Sequence, residues 1–131
     1  MLIAINPSDP RPIYHQIMDE IRRALVVGTL APDDPLPSVR QLASELRINP
    51  NTVQQAYREL ERDGVVHVKR GLGTFVSAAL SQRTEREELA RSVAARALTE
   101  AHRHGLSVDE LIEAVRQAAR DEEHRHGETE S

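Results

Sequence analysis

Two short runs of apolar residues at helical spacing lie in the middle of the chain. The first follows Ser38, which can cap a helix, and its apolar stripe is Val39, Leu42, Ala43 and Leu46. Pro50 then interrupts the period, because proline disfavours helical geometry in the residue before it. Asn51 is predicted to cap a second helix that starts at Thr52 and has the stripe Val53, Ala56, Tyr57 and Leu60. The pattern predicts two helices joined by a tight turn.

Beyond Gly64, which is predicted to end the second helix, the pattern changes to that of β-strands. Val66 and Val68 alternate with polar residues, and a second β-rich run follows the glycines Gly71 and Gly73. Glycines between two such runs are typical of a hairpin turn. The order of helix, turn, helix and hairpin predicts a winged helix-turn-helix. Its second helix, on the order of 18 Å long, fits the major groove of DNA.

Three segments in this region, LPSVRQLA, INPNTVQQAYRELERDG and KRGLGTFV, resemble the winged-helix domain of the GntR family of bacterial transcription regulators. The resemblance covers roughly residues 2 to 77. The upstream PIYHQI and the short part after the wing resemble the YtrA-like subfamily. The resemblance implies a DNA-binding regulator of nearby transporter or metabolic genes. The DNA contacts that it implies, by position, are Arg40, Asn51, Thr52, Gln54, Arg70 and Gly71.

The residues themselves suggest a slightly larger set, because polar side chains off the apolar stripes and glycines with basic neighbours are available to a partner. The candidate DNA contacts are Ser38, Arg40, Asn51, Thr52, Gln54, Gln55, Arg58, Lys69, Arg70, Gly71 and Gly73. Each has a plainer interpretation, since the charges can be ordinary solvated groups and the glutamines ordinary helix formers. In the plainer interpretation, Asn51 and Thr52 act as helix caps and nothing more, and the glycines act as turn residues and nothing more. Tyr57 is expected in the core rather than as a base-stacking platform.

The turn between the two helices departs from the pattern of the resembled family at one position. That turn often begins with a glycine in the family, and Arg47 holds the place here. Either Arg47 adopts a left-handed backbone at a cost of about 1 kcal/mol, or the turn has a different shape.

The segment before the helix-turn-helix is predicted to support it. Residues 12–27 have the periodicity of an amphipathic helix that Gly28 ends, and this helix is expected to close the core. Residues 29–37 contain three prolines and predict a rigid loop. Residues 2–5 are predicted to add a short strand.

After the wing, the pattern predicts two more helices. Thr84 is predicted to cap a helix that runs to about residue 104, and Ser107 with Glu110 forms a capping box for the next. Two helices of this size cannot bury both of their apolar stripes within one chain, so pairing with a second copy is expected. The predicted dimer contacts are Leu89, Val93, Leu98, Leu111, Ile112 and Val115.

The predicted fold class is therefore mainly α with a small β-wing. An N-terminal winged helix-turn-helix, residues 1–77, is followed by a two-helix C-terminal dimerisation segment, residues 78–131. The charged stretch from about residue 121 is predicted to be a disordered acidic and histidine-containing tail. A zinc or nickel site at the histidine pairs of residues 102–104 and 124–126 is a weaker alternative, because a spacing of two places the pair on different helix faces. No metal or cofactor is expected.

The formal net charge of −4 first argues against a nucleic-acid partner, but its distribution removes the objection. Residues 1–77 carry nine basic and nine acidic side chains, whereas residues 78–131 carry eight and twelve. The acidic excess therefore lies after the wing. The absence of cysteine excludes disulfides and thiol nucleophiles. No long apolar run or leader-like start is found, so a cytoplasmic, nucleoid-associated protein without membrane contact is expected.

Three classes of function are weighed. A homodimeric regulator, most simply a repressor, that binds an inverted repeat in double-stranded DNA agrees best with the pattern. A winged-helix module that contacts protein instead of DNA is the alternative. An enzyme is disfavoured, because no nucleophile elbow, phosphate-binding loop or carboxylate pair is found. Two helices leave little space for a pocket of about 300 Å³, so a small-molecule effector, if one exists, is expected at the dimer junction.

Overall fold

The structure is a computed structural model that describes residues 3–78 and 82–129. In these ranges the elements, in chain order, are α1 (Ile13–Val27), α2 (Val39–Leu46), α3 (Pro50–Arg62), β1 (Val66–Lys69), β2 (Gly73–Val76), α4 (Gln82–Arg103) and α5 (Val108–Thr129). The chain is mainly helical with a small antiparallel hairpin, and the predicted fold class is confirmed.

Contacts along the backbone divide the chain into two compact units, Met1–Leu89 and Ala90–Ser131. The division comes later than the predicted boundary at residue 77, since the first turns of α4 belong to the first unit.

The first unit is built around one aliphatic core. Helices α1 and α2 both pack against α3, and the hairpin follows α3 directly. Their buried side chains recur every three or four residues in the helices, so each helix turns one stripe inward. Fully burying one such side chain contributes about 1.5–3 kcal/mol. The largest completely buried side chains are Ile17, Ile21, Leu25, Leu42, Leu60, Val53, Val65, Val66 and Val76.

Side-chain caps fix where α2 and α3 begin. Ser38 Oγ accepts a hydrogen bond from the Gln41 amide at 3.1 Å, and Gln41 Oε1 accepts from the Ser38 amide at 3.0 Å. The cap of α3 is Asn49, whose Oδ1 accepts from the Asn51 amide at 2.8 Å. The prediction that Asn51 caps this helix is wrong. Pro50 occupies the first helical position, where the missing N–H costs nothing, and it moves the start two residues earlier.

The tight turn between α2 and α3 contains a left-handed residue. Arg47 has φ 55° and ψ 47°, and its amide bonds back to the carbonyls of Ala43 and Ser44. Of the two alternatives for this turn, the strained backbone at Arg47 is correct. The conformation is strained because Arg47 has a Cβ atom, whereas the glycine usually found in left-handed backbone has none.

The hairpin is supported by the proline-rich loop before α2. Its register pairs Val66 with Val76 and Lys69 with Gly73. On the outer side of β2, the Leu36 amide donates to the Thr74 carbonyl at 2.8 Å, and the Val76 amide donates to the Asp34 carbonyl at 2.8 Å. The loop therefore pairs with β2 as a short third strand would, and it fixes the base of the wing.

A buried ion pair ties three helices of the first unit together. Arg22 on α1 donates from Nε to Glu85 on α4 at 3.1 Å and from a terminal nitrogen to Asp63, at the end of α3, at 2.8 Å. Burial raises the pKa of Glu85, and the charge of Arg22 opposes this rise. This contact explains why the start of α4 belongs to the first unit.

Three local predictions differ from the structure. Residue 2 lies outside the described residues, and residues 3–5 form no strand. Ile3 packs into the core instead, and the Asn6 amide donates a hydrogen bond to Gln16 Oε1 at 2.9 Å. Helix α4 already includes residue 82, so Thr84 lies within its first turn rather than capping it. Residues 121–129 continue α5 instead of forming a disordered tail. Glutamate and arginine, which this stretch contains, are good helix formers, and Gln117 Nε2 donates to Asp121 Oδ1 one turn later at 3.1 Å, which supports the extension.

The second unit consists of the later part of α4 and α5. Gly105, with φ 76°, forms the turn between them. The predicted capping box is confirmed, because the Ser107 amide donates to Glu110 Oε1 and the Glu110 amide donates to Ser107 Oγ, both at 3.1 Å. From residue 90 to residue 129, Ala101 is the one hydrophobic residue that is buried. The exposed large apolar side chains of this unit are Val93, Leu106, Val108, Ile112 and Val115.

Candidate nucleic-acid interface

Helix α3 presents one polar face to solvent. Asn51, Gln54, Gln55 and Arg58 are exposed, and Thr52 is half-buried beside them. The opposite face packs into the core with Val53, Ala56, Tyr57 and Leu60. The amide side chains therefore lie on an accessible helix face, as a recognition helix requires.

Tyr57 is a structural residue, as expected. Its hydroxyl donates to the Pro37 carbonyl at 2.7 Å, which ties α3 to the residue just before the α2 cap. Burial, with a smaller effect of the Glu45 charge, raises the pKa of Tyr57 far above its ordinary value. The hydroxyl stays protonated and keeps its donor role at any physiological pH.

The start of α2 contributes two of the candidate contacts. Ser38 is exposed, but its hydroxyl oxygen already accepts the capping hydrogen bond. Arg40, the second residue of the helix, is exposed. Ser38 therefore acts first as a cap, and Arg40 is the better placed of the two to reach a phosphate.

The wing has a narrow, basic tip. Gly71 and Gly73 have φ values of 78° and 121°, and nothing lies within 4 Å of where a Cβ would stand on either. The glycines are thus required by the backbone conformation and not by crowding. Lys69 Nζ lies 4.5 Å from the centre of the Phe75 ring, while Arg70 is exposed at the turn. The cation–π contact holds Lys69 against the strand.

A groove with a volume of about 250 Å³ separates α3 from the wing. It brings Gln54 and Arg58, both predicted contacts, next to side chains of the hairpin. Gln55, Asn51 and the tip glycines do not line it. The lining residues are Val39, Gln54, Tyr57, Arg58, Glu61, Val68 and Thr74.

The groove includes residues that sequence reasoning missed. Glu61 was not predicted to have a role, and Val68 and Thr74 were predicted only as strand residues. Val66 is buried, but Val68 is 61% exposed because the hairpin extends beyond the core. The alternation could not reveal this, whereas the short length of the strand and its place next to the glycine tip were available signals.

The arginines of the first unit differ in their electrostatic partners. Arg11, Arg22, Arg23 and Arg62 each pair with a carboxylate. In the part of the chain that the structure describes, Arg40, Arg58 and Arg70 form no such pair. A phosphate can therefore bind these three without first displacing an internal carboxylate.

The predicted dimer contacts differ in exposure. Val93, Ile112 and Val115 are exposed, at 52%, 42% and 57%. Leu98 and Leu111 are half-buried in the same unit, whereas Leu89, also half-buried, belongs to the first unit.

Residues 3–78 and 82–129 contain neither a candidate metal site nor a helix that could span a membrane. No three His, Cys, Asp or Glu side chains are grouped so that they could hold a metal ion. Among the helices of these ranges, none has both the length and the apolar character needed to cross a bilayer.

Comparison with known proteins identifies the family. Residues 13–76 match the model of the bacterial regulatory proteins of the gntR family. The chain is 40% identical over 104 residues to the HTH-type transcriptional regulator YhcF of Bacillus subtilis, which covers 79% of this chain and 86% of YhcF. It is 46% identical over 76 residues to the HTH-type transcriptional repressor YtrA of the same organism, with 58% of each chain covered. The chain thus matches little more than half the length of YtrA.

Solved structures agree with this assignment. The GntR-family transcription factor YtrA from Sulfolobus acidocaldarius is similar with a TM-score of 0.58 and 35% identity, covering 72% of this chain and 99% of that one. The DNA-binding domain of AraR, solved in complex with operator ORX1, is similar with a TM-score of 0.50 and 25% identity, covering 59% and 93%. These proteins are regulators rather than enzymes. This chain therefore belongs to the GntR family, as a YtrA-like transcriptional regulator with a winged-helix DNA-binding domain.

Proposed function

We propose that the chain is a transcriptional repressor that binds an inverted-repeat operator as a homodimer. The observation that carries the DNA contact is that Arg40 on α2, Arg58 on α3 and Arg70 at the turn of the wing are exposed and form no ion pair with a carboxylate within the described residues. Repression is supported by the similarity of the chain to YtrA, which is named as an HTH-type transcriptional repressor. Because the operator lies on the chromosome, the protein acts in the cytoplasm.

Two groups of residues have separate roles in this proposal. Arg40, Arg58, Lys69 and Arg70 bind phosphates and set affinity, and Ser38, Gly71 and Gly73 let the backbone approach closely. Gln54 and Gln55, with Asn51 and Thr52 at the start of the helix, meet base edges. A glutamine amide can bond adenine through two hydrogen bonds, so these side chains set sequence preference.

The dimer is supported by the exposed apolar side chains of the second unit. Val93, Ile112 and Val115 leave apolar surface in contact with water, which a second copy of the same unit would cover. In this proposal the half-buried Leu89, Leu98 and Leu111 add to the dimer contact. In this proposal residues 1–77 bind DNA, and the helices that follow hold the two protomers together.

A small-molecule effector, in this proposal, binds at the junction between protomers. It acts by changing the angle between the two recognition helices through α4, since a packed interface adopts discrete arrangements. Titration calorimetry with candidate metabolites and metals tests this point. Absence of heat, together with unchanged operator affinity, contradicts it.

The central test is a selection of random duplexes on the purified full chain, repeated with Arg40→Ala and Gln54→Ala. Arg40→Ala should weaken binding to every duplex and reduce the slope of log affinity against log salt by about 1. Gln54→Ala should change the selected bases and leave that slope unchanged. Arg23→Ala is the control, because Arg23 is an exposed arginine of α1 that pairs with Glu20.

Two outcomes contradict the proposal. If the wild-type chain selects no duplex even at low salt, the DNA-binding role fails. If Arg23→Ala weakens binding as strongly as Arg40→Ala, the effect belongs to total charge and not to the proposed face.

A further inference from the structure

Helix α5 carries a regular apolar stripe that is open to solvent. Its members are spaced four, three and four residues apart, and all of them are exposed: Val108, Ile112, Val115 and Ala119. These four residues, the α5 seam, have the spacing of the contact line in a two-helix coiled coil. Of the described side chains between residues 108 and 127, Leu111 alone is not exposed. A second helix would therefore remove the α5 seam from water.

The α5 seam can pair with a copy of itself in two orientations. In an antiparallel pair that crosses between Ile112 and Val115, these two residues lie opposite each other, and Val108 lies opposite Ala119. In a parallel pair in register, each residue lies opposite its own copy. Both orientations cover the same apolar surface, so the α5 seam alone does not select between them.

Two charges along one edge of the α5 seam distinguish the orientations. Asp109 and Arg116 each follow a seam residue directly, and because they are seven residues apart they lie on the same edge. Both are exposed, and in the part of the chain that the structure describes neither forms an ion pair. Their separation of about 10 Å along the helix prevents them from pairing with each other. The opposite edge holds the apolar Leu111 and Ala118.

Symmetry decides which edges meet. A two-fold axis between antiparallel helices brings the same edge of both copies together, whereas one between parallel helices brings opposite edges together. In the antiparallel pair, Asp109 lies opposite residue 118 of the second copy, about 3 Å along the helix from Arg116 of that copy. The contact occurs twice. In the parallel pair, Asp109 meets the apolar edge and stays unpaired.

We propose that two copies associate through antiparallel α5 helices, with Asp109 of each copy paired to Arg116 of the other, an inference that rests on the homodimer of the proposed function. The α5 seam supplies the affinity, because exposed ion pairs contribute little. The two ion pairs set the orientation and the register, as charges beside a coiled-coil contact line do.

Charge reversal in the full chain tests the pairing. Asp109→Arg and Arg116→Asp each place like charges side by side at both contacts, so each should weaken self-association about tenfold in sedimentation equilibrium. An equimolar mixture of the two variants should associate as strongly as wild type. In the mixed pair, the introduced arginine faces the introduced aspartate, and the native Asp109 faces the native Arg116. Asp121→Arg, which reverses a charge away from the α5 seam, is the matched control and should associate as wild type.

The mixture also separates pairing from local unfolding. Asp109 lies in the first turn of α5, where an acidic side chain stabilises the helix. Loss of that effect would weaken Asp109→Arg, but adding Arg116→Asp would not repair it. At about 1 M salt the differences between the variants and wild type should disappear, because the screening length falls to about 3 Å.

Cysteine cross-linking tests the orientation separately, since the chain has no cysteine of its own. A Val108→Cys chain mixed with an Ala119→Cys chain should form a mixed disulfide on oxidation. Val108→Cys alone should not form one, because its two copies would lie about 16 Å apart along the antiparallel helices.

Other outcomes overturn the inference. Cross-linking of Val108→Cys with itself, or a mixture of the charge variants that stays as weak as its components, would contradict the antiparallel pairing and leave the DNA-binding homodimer intact. Charge variants that associate as wild type would do the same. A wild-type chain that stays monomeric at the concentrations where it binds its operator would contradict the homodimer itself.

Discussion

Arg47 shows how a single residue can accept strain in order to keep a turn short. Its left-handed backbone lets the amide bond back to two carbonyls of α2 and turns the chain directly toward the Asn49 cap. The Cβ atom of Arg47 is sterically crowded in this conformation, whereas glycine, which has no Cβ atom, would avoid the strain. The position of α3 is thus obtained at the expense of some stability.

Replacing this residue should recover part of that stability. Arg47→Gly removes a strain of about 1 kcal/mol but increases the entropy of the unfolded chain, so the free energy of unfolding should rise by roughly 0.5 kcal/mol. Urea denaturation followed by circular dichroism measures it. Ser44→Gly is the matched control, since Ser44 lies within α2 and glycine there should destabilise the chain. A loss of stability in Arg47→Gly would refute the strain.

Glu85 gives a second residue-scale prediction, which concerns pH. Burial raises the pKa of Glu85 above its ordinary value of 4.5, so the folded chain holds this proton more tightly than the unfolded chain. The resulting stability is full below the unfolded pKa and is lost as pH rises through the folded pKa. Relative to Glu85→Gln, wild type should therefore lose stability as pH rises from about 4.5 through the raised pKa of Glu85.

Urea unfolding at several pH values checks this expectation. Glu87→Gln, at an exposed position one turn from Arg83, should show no comparable trend. If the stability of wild type relative to Glu85→Gln increased as pH rises, the attraction of Arg22 would outweigh the cost of burying the carboxylate.

At the scale of elements, the helices and the hairpin follow from local signals. Helix α1 was predicted over residues 12–27 and is observed at Ile13–Val27, and the capping box of α5 has the predicted partners. Short-range rules suffice there because each signal acts within one turn of helix. The cap of α3 was misassigned because Asn49 and Asn51 are both good caps, and only the position of Pro50 decides between them.

The candidate site was predictable in its residue types but not in its arrangement. That Gln54 and Arg58 are exposed follows from the helical period. That they share a groove with Thr74 depends on the packing of the hairpin against α3, which no local pattern contains. Residues 121–129 continue α5 instead of forming the predicted disordered tail, because charge was given more weight than the helix propensity of the glutamates and the arginine in this stretch.

The second unit supplies an element-scale prediction about association. Ile112→Glu places a charge in the middle of the apolar face of α5 and should weaken the proposed dimer by about a hundredfold, since the carboxylate would be buried on association. Sedimentation equilibrium measures the association constant. Ala114→Glu adds the same charge about 200° around the helix and should leave the dimer intact. Equal association constants for the two variants would contradict the proposal that this face of α5 forms the dimer contact.

For the whole molecule, the proposed two-fold arrangement makes the spacing of half-sites a measurable property. Inserting five base pairs between half-sites rotates one of them by about half a turn, so the second protomer cannot reach its site. Affinity should fall to that of a single half-site. Inserting ten base pairs restores the phase.

Fluorescence anisotropy with the three duplexes tests this expectation. Equal affinity for the original and the five-base-pair duplex would mean that the protomers bind independently. An Ile112→Glu chain, if monomeric, should be indifferent to both insertions, which links the spacing result to the dimer.

The loop that lies along β2 also bears on how the protein behaves at high concentration. Strands with free backbone donors and acceptors are where folded chains begin to aggregate, and two-stranded hairpins have two such edges. Here the segment around Pro35 occupies one edge, and the other, β1, is four residues long and ends in Lys69. The wing can therefore extend into solvent without offering neighbouring molecules a template for intermolecular sheet formation.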